Sequence, residues 1–153
     1  MKLNEMTIVI TGANGVVASE LMDYFSNKAA YVVGTVRQLS EKFEKNENTT
    51  IIEMDPLDHY SIDKAIGWVE NEAGHIHVWL NIIGGFTMGN RVEEGDDDWN
   101  YMYNTNFMTT LNCCQKILKY LFFPPSLNGF KPSLLNGKIV RLPSKVSNKL
   151  RMF

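Results

Sequence analysis

Short apolar runs alternate with amphipathic stretches along the whole chain. Five strands are predicted by nearly continuous apolar segments, at residues 7–10, 31–36, 49–55, 77–83 and 138–142. Strands that are apolar at almost every position are typical of parallel sheets, because both faces of such a sheet are covered by helices.

Apolar residues at helical spacing predict the elements between these strands. A first helix carries Val17, Leu21 and Phe25 on one face, and a later one carries Ile62, Ala65, Ile66 and Val69 and stops near Gly74. A short polar helix is predicted around residues 40–45, and a long helix over 97–123, ended by Pro124 and Pro125. Strands and helices in alternation predict an α/β protein with helices on both faces of a parallel sheet.

Length and composition are those of one globular domain. The chain has 153 residues, of which 44% are hydrophobic and 21% charged. We therefore treat residues 1–153 as a single domain, large enough to fold around one core without disulfides.

Charge and hydropathy exclude several classes of partner. The net charge is -2 and no basic stripe is present, so nucleic acid is not expected as a partner. No apolar run reaches the length of a membrane span, and the amino-terminal "MKLNEM" is too polar for a signal peptide. Cys113 and Cys114 are adjacent, which argues against a disulfide framework and favours the reducing cytoplasm.

A glycine-containing turn, "TGANGVVA" at residues 11–18, joins the first strand to the first helix. Backbone N–H groups at such a turn and at the helix amino terminus can bind a pyrophosphate, and a small residue at position 18 lets helix and strand pack closely. A tight turn without a ligand is the alternative. The candidate cofactor-binding residues of this turn are Gly12, Asn14, Gly15, Val16 and Val17.

The second strand ends in "GTVRQ", where dinucleotide-binding proteins contact the adenosine ribose. An acidic residue there favours NAD, whereas Val36 is neutral and Arg37 can accommodate the 2′-phosphate of NADP. The expected cofactor is therefore NADP, with NAD as the second choice. A solvated surface arginine is the other interpretation of Arg37.

Five segments together resemble the short-chain dehydrogenase/reductase family, over about residues 6 to 145. They are the turn "TGANGVVA", then "EMDPLD", "NIIGG", "WNYMYNTNF" and "GKIVRLPS", in the family's order and approximate spacing. The resemblance implies a three-layer Rossmann-type, doubly wound parallel sheet of about five strands in the order 3-2-1-4-5. In "NIIGG", Ile82 and Ile83 depart from the family's Asn-Ala.

The resemblance also implies an activity, which is hydride transfer between a nicotinamide cofactor and a small carbonyl or alcohol substrate. It places Asp55, Asn81 and Gly84 at cofactor-binding positions. It places Asn106 at the family's catalytic asparagine, which keeps a water in place, and Ser144 at the serine that holds the substrate oxygen. The long helix near 97–123 is the expected contact if copies of the chain associate.

The family's general acid is a tyrosine followed four positions later by a lysine, a short way beyond the serine. The printed sequence has no tyrosine after Ser144. Matches to that spacing at Tyr24/Lys28 and Tyr60/Lys64 lie on early helices and are rejected. We therefore expect an incomplete dinucleotide-binding domain with little activity alone, whether by truncation, frameshift or as a natural short relative. The competing hypothesis is a non-catalytic nucleotide-binding or regulatory protein.

Other groups of reactive residues have ordinary interpretations. His75 and His77 flank a strand entrance without a third ligand at suitable spacing, so no metal site is expected. The acidic run 93–98 is read as a solvated loop preceding a helix, and the two cysteines as core residues. Trp99, Tyr101 and Tyr103 are expected to pack, with one of them bordering a substrate cleft. The loop 84–90 is expected to touch nicotinamide or substrate.

Overall fold

A four-stranded parallel sheet forms the centre of the protein. The computed structural model describes residues 2–39, 47–87 and 96–122, together with two short strands at 134–135 and 138–139. The strands of the sheet are β1 (Thr7–Thr11), β2 (Tyr31–Val36), β3 (Thr49–Glu53) and β4 (Val78–Leu80). They are arranged in the order β3-β2-β1-β4, which confirms the predicted order for these four strands.

The central strand β1 is hydrogen-bonded on both edges. Ile8 pairs in register with Val32 on one side and with Val78 on the other. All five residues of β1 are buried, as a parallel strand covered on both faces requires. The apolar run that predicted this strand therefore reflects burial on two faces.

The helices occupy the connections between the strands. They are α1 (Val16–Ser26), α2 (His59–Ala73), α3 (Asp96–Tyr103) and α4 (Thr109–Phe122), with one 3₁₀ turn at Leu3–Glu5. A π-helical segment, Asn104–Met108, joins α3 to α4, so the predicted long helix is continuous from 96 to 122. None of the helices in the described residues is long and apolar enough to cross a membrane.

Two hydrophobic clusters cover opposite faces of the sheet. On one face, Ile8, Ile10 and Val32 pack with residues of α1. On the other face, Val9 and Val33 pack with residues of α2 and α4. Alternating residues of the same strands thus enter different clusters, which is the three-layer arrangement that was predicted.

The buried face of α2 is as predicted, since Ile62, Ala65, Ile66 and Val69 are its buried residues. The predicted face of α1 is confirmed at Leu21 and Phe25, which are partly buried against the cluster on that side, and is wrong at Val17. Ala18 and Met22 are the buried residues of α1, whereas Val17 is 62% exposed. Val17 lies in the first turn of the helix, directly after the glycine turn.

The predicted fifth strand lies only partly within the described residues. Lys138–Ile139 pairs antiparallel with Leu134–Leu135 in a separate two-stranded sheet, rather than in parallel with β4. Residues 140–142, the polar helix predicted around 40–45 and the two prolines at 124 and 125 lie outside the described residues.

A glycine inside β2 allows α1 to lie close to the sheet. A Cβ atom at Gly34 would lie 2.5 Å from Met22 Sδ and 2.7 Å from the Cβ of Ala13. Real side chains do not approach so closely, so any larger residue at 34 would push α1 outwards.

We expect Gly34→Ala to destabilise the protein by about 1–3 kcal/mol, because overpacking forces the helix away from the sheet. Gly67→Ala is the matched control, since a Cβ there has nothing within 4 Å and lies in the interior of α2. That variant is expected to gain about 0.4–1 kcal/mol. Urea unfolding of both variants measures the difference, and equal effects of the two would contradict the packing argument.

Candidate functional site

A cavity of about 780 Å³ opens where the four parallel strands end. Its walls come from the residues that end or follow β1, β2, β3 and β4, and from the helix beginning at Asp96. The lining residues are Gly12, Asn14, Gly15, Thr35, Val36, Arg37, Gln38, Glu53, Met54, Asp55, Pro56, Leu57, Ile82, Ile83, Gly84, Tyr101, Thr105 and Thr109. The carboxyl ends of parallel strands are where ligands bind in open α/β sheets.

The turn after β1 is fixed by two neighbouring residues. The Thr11 hydroxyl accepts the Ile82 N–H at 3.0 Å and donates to the Leu80 carbonyl at 3.3 Å. Gly12 has a φ of +71°, and a Cβ atom there would lie 3.0 Å from Ile83 Cγ1. Glycine is therefore required at position 12 both by the backbone conformation and by the closeness of the segment after β4.

The amino terminus of α1 meets this turn. Gly15 is the N-cap residue and supplies no side-chain hydrogen bond to the first turn of the helix. The first N–H groups of an α-helix have no partners within the helix, so this end is suited to an anion. Ala18 is fully buried, as the expected close packing requires, whereas Val16 and Val17 are exposed and are not among the cavity-lining residues.

Arg37 and Asp55 line the cavity from the ends of neighbouring strands. Arg37 is exposed just beyond β2. Asp55 is partly held by its own loop, since its Oδ1 accepts the Leu57 N–H at 2.9 Å and its main-chain N–H donates to Ser61 Oγ at 2.9 Å. The basic and the acidic group expected at the adenosine end thus belong to one cavity.

Asn81 is turned away from the cavity, although the resemblance places it at a cofactor-binding position. Its Oδ1 accepts the Trp79 Nε1–H at 3.0 Å, and its Nδ2 donates to Cys114 Sγ at 3.4 Å. It is not among the cavity-lining residues. In this structure Asn81 joins the end of β4 to α4.

Asn106 holds the loop after β4 through its side-chain amide. Its Oδ1 accepts the Gly85 N–H at 3.0 Å, and its Nδ2 donates to the Gly85 carbonyl at 2.9 Å and to the Met102 carbonyl at 3.0 Å. Both N–H groups of the amide are therefore occupied. The side chain acts on the cavity by positioning the backbone next to Gly84, which does line it.

The π-helical segment places this asparagine. In the π-helical segment Asn104–Met108, the backbone hydrogen bonds reach one residue further along the chain than in the flanking α-helices, and such bulges are frequent at functional sites. Tyr101, Thr105 and Thr109 line the cavity from the same continuous helix. Sequence reasoning missed both threonines and the bulge, because hydrophobic periodicity carries no signal for a single inserted residue.

The aromatic residues of this helix only partly follow expectation. Tyr101 borders the cavity, as one of the three was expected to do. Trp99 and Tyr103 are exposed rather than packed, at 64% and 55%, and Tyr103 stacks on Phe107 with ring centroids 5.3 Å apart.

The two histidines have structural partners at the entrance to β4. His77 Nδ1 accepts the Thr7 N–H at 3.0 Å, and the rings of His75 and His77 pack edge to face at 5.0 Å. In the part of the chain that the structure describes, no three potential ligands are grouped as a metal site would need. Of the acidic run 93–98, residues 93–95 lie outside those residues, and the last three acids begin the helix Asp96–Tyr103, as expected.

The two adjacent cysteines are free thiols in different surroundings. Cys113 is 1% exposed within the cluster that covers the α2 side of the sheet. Burial, together with the neighbouring Cys114, raises the pKa of the Cys113 thiol to about 12. A thiol with so high a pKa stays protonated and unreactive, as a core residue would be.

The structure thus brings six of the eleven predicted site residues to one cavity. These six are Gly12, Asn14, Gly15, Arg37, Asp55 and Gly84. Asn106 is exposed and hydrogen-bonded to Gly85 without lining the cavity. Val16, Val17 and Asn81 do not line it either, and Ser144 lies outside the described residues.

Comparison with known proteins agrees with this geometry. The sequence profile of the family described as short chain dehydrogenase matches residues 6–150. The chain belongs to this family. Short chain dehydrogenases of known structure also share the fold: one from Bacillus anthracis superposes with a TM-score of 0.71 at 23% identity, covering 78% of this chain and 51% of that one.

A second solved relative, the short chain dehydrogenase of Leptospira borgpetersenii with bound NAD+, gives a TM-score of 0.67 at 20% identity over 79% of this chain and 46% of that chain. Among curated proteins, an uncharacterized oxidoreductase of Staphylococcus epidermidis is 24% identical over 148 residues, which are 89% of this chain and 64% of the relative.

A 3-ketodihydrosphingosine reductase of Bacteroides thetaiotaomicron is 27% identical over 115 residues, which are 74% of this chain and 41% of that protein. The chain therefore spans about two fifths to two thirds of the length of the curated relatives it matches.

We expect Asn106→Ala to release the loop after β4, because the Gly85 N–H loses its acceptor. The Gly85 amide should exchange with solvent about tenfold faster in the variant, as the loss of one hydrogen bond predicts. Asn104→Ala, at an exposed residue of the same π-helical segment, serves as the control and should leave that exchange rate unchanged. Equal Gly85 exchange in all three proteins, measured by NMR, would show that Asn106 does not position the loop.

Proposed function

We propose that the cavity binds a nicotinamide dinucleotide, NADP in preference to NAD, and that the chain is the cofactor-binding part of a reductase. The observation that carries this proposal is the Gly12 turn. Its backbone is left-handed, it packs closely on Ile83, and it lies beside the start of α1, which has no side-chain cap. This is an arrangement in which a pyrophosphate can approach the backbone.

The walls of the cavity fit the remaining parts of such a cofactor. Arg37 lies at the end of β2 with its guanidinium unpaired by any salt bridge within the described residues, so it is available to a 2′-phosphate. Asp55 lies one strand away, at the position that the family resemblance assigns to adenine contact. Gly84 lines the opposite part, after β4, where nicotinamide would lie.

The proposed reaction is hydride transfer between the nicotinamide and a small carbonyl or alcohol substrate. The cofactor, when bound, supplies or accepts the hydride. In this proposal Asn106 positions the loop at Gly84 and Gly85, and Ser144 holds the substrate oxygen. Relatives named as an oxidoreductase and as a 3-ketodihydrosphingosine reductase support the class of reaction.

The state of the two cysteines bears on the location of the protein. Both cysteines are free, which suits the reducing cytoplasm as its location.

Trp99, Tyr103 and Phe107 are exposed along the helix that we expect to contact a second copy. Exposed aromatic residues are enriched at protein interfaces, so this helix stays the proposed surface for self-association.

We expect Gly12→Val to abolish dinucleotide binding, because valine is strained at positive φ and its side chain would displace Ile83. Gly74→Val is the matched control: Gly74 also has a positive φ, of 76°, but it does not line the cavity. Both variants should lose stability by about 1–3 kcal/mol, and only the first should lose binding.

Calorimetric titration with NADPH measures the affinity, and far-ultraviolet circular dichroism shows that each variant is folded. A folded Gly12→Val protein with wild-type affinity would overturn the assignment of the turn.

We also expect the wild type to bind NADPH more tightly than NADH, and Arg37→Ala to remove the difference. A charge-assisted hydrogen bond to the 2′-phosphate contributes about 1.5–3 kcal/mol, which corresponds to a preference of roughly tenfold or more. Lys119→Ala removes a positive charge from the exposed end of α4 and should leave the preference intact. A wild-type preference for NADH in the same titrations would refute the role of Arg37.

A further inference from the structure

The hydroxyl of Thr35 is buried without a hydrogen-bond partner among the described residues. Thr35 is 1% exposed, yet it lines the cavity where β2 ends. Its main-chain carbonyl oxygen accepts the Ala13 N–H at 2.9 Å, so the side-chain hydroxyl is the group of this residue that lacks a hydrogen bond among the described residues. A buried unpaired hydroxyl is costly, and a native protein that keeps one invites a functional explanation.

The side chain of Thr35 lies on the face of the sheet that is covered by α2 and α4. Thr35 pairs in register with Ile52, and Ile52 and Val33 belong to the cluster on that face. Met54 and Thr109, which come from the same side, also line the cavity. The Thr35 side chain therefore lies on the α2 and α4 side at the β2 end of the cavity, which Asp55 also lines.

The loop after β3 offers no backbone donor at this end. The N–H of Met54 donates to the Val36 carbonyl, that of Asp55 to Ser61 Oγ, and that of Leu57 to Asp55 Oδ1. Pro56 has no N–H at all. Asp55 provides acceptor atoms. This loop can therefore accept hydrogen bonds from the donors of a ligand but offers no donor to the acceptors of that ligand.

A purine base has such a mixed edge, with an amino group that donates and ring nitrogens that accept. We propose that the Thr35 hydroxyl donates a hydrogen bond to a ring nitrogen of the cofactor's adenine and so determines affinity for the adenosine half. This inference rests on the proposed dinucleotide function. It makes Thr35 a base-recognition residue, distinct from Arg37, which would contact the ribose phosphate.

The test replaces the hydroxyl without changing the shape of the side chain. Thr35→Val should weaken NADPH binding about tenfold, which is the value of one buried hydrogen bond. Thr35→Ser keeps the hydroxyl and should bind close to the wild-type affinity. Thr50→Val, at a buried threonine of β3 that does not line the cavity, controls for the general effect of this exchange in the sheet.

Two fragments of the cofactor locate the loss. Thr35→Val should lower the affinity for adenosine 2′,5′-bisphosphate by the same factor as for NADPH, and should leave any binding of nicotinamide mononucleotide unaffected. Thermal unfolding without ligand should show Thr35→Val at least as stable as the wild type, because the variant no longer buries an unpaired hydroxyl. This result would separate a lost contact from a damaged fold.

The outcomes are distinct for the two proposals. Wild-type affinity in a folded Thr35→Val protein, or a loss confined to the nicotinamide fragment, would overturn the role of Thr35 and leave dinucleotide binding standing. A wild-type protein that binds neither NADPH nor NADH nor adenosine 2′,5′-bisphosphate would overturn both.

Discussion

The exit of β1 is held against the segment after β4 by two neighbouring residues, and the cavity depends on this constraint. The Thr11 hydroxyl ties the strand to the backbone of the segment after β4, and Gly12 then lets that segment approach at Ile83. Neither contact could persist with a larger or apolar residue in its place. Because the two segments are fixed against each other, the turn before α1 and the loop at Gly84 line one space.

The layers of the fold could be predicted from the sequence because burial itself repeats along the chain. The central strand is buried at every position and α2 buries one face, so both leave clear patterns of apolar residues. Where the apolar pattern predicted the wrong burial or strand pairing, the reason is local geometry. Val17 has the spacing of a core residue but is exposed in the first turn of α1, and Lys138–Ile139 pairs with Leu134–Leu135 rather than with β4.

The site could be predicted only where its chemistry is local. A glycine turn between strand and helix is contiguous in the chain, so its residues and its place in the fold could be inferred together. The orientation of Asn81 depends on Trp79 and on Cys114, and the latter is distant in sequence. Asn106 likewise forms its hydrogen bonds with Gly85, which is distant in sequence. Such side-chain hydrogen bonds are set by tertiary contacts, and a sequence motif does not predict them.

The polar groups around the cavity therefore divide into those that build it and those that remain for a ligand. Thr11, Asn106 and the backbone of the β3 loop are occupied in holding the walls. Among the donor groups of the described residues that are left for a ligand are the uncapped end of α1, the guanidinium of Arg37 and the hydroxyl of Thr35. These three groups differ in kind: a cluster of N–H dipoles, a full positive charge and a single neutral donor. An anionic bridge, a phosphate monoester and a heterocyclic base are the ligands that such donors respectively prefer, and a phosphorylated dinucleotide contains all three in one molecule.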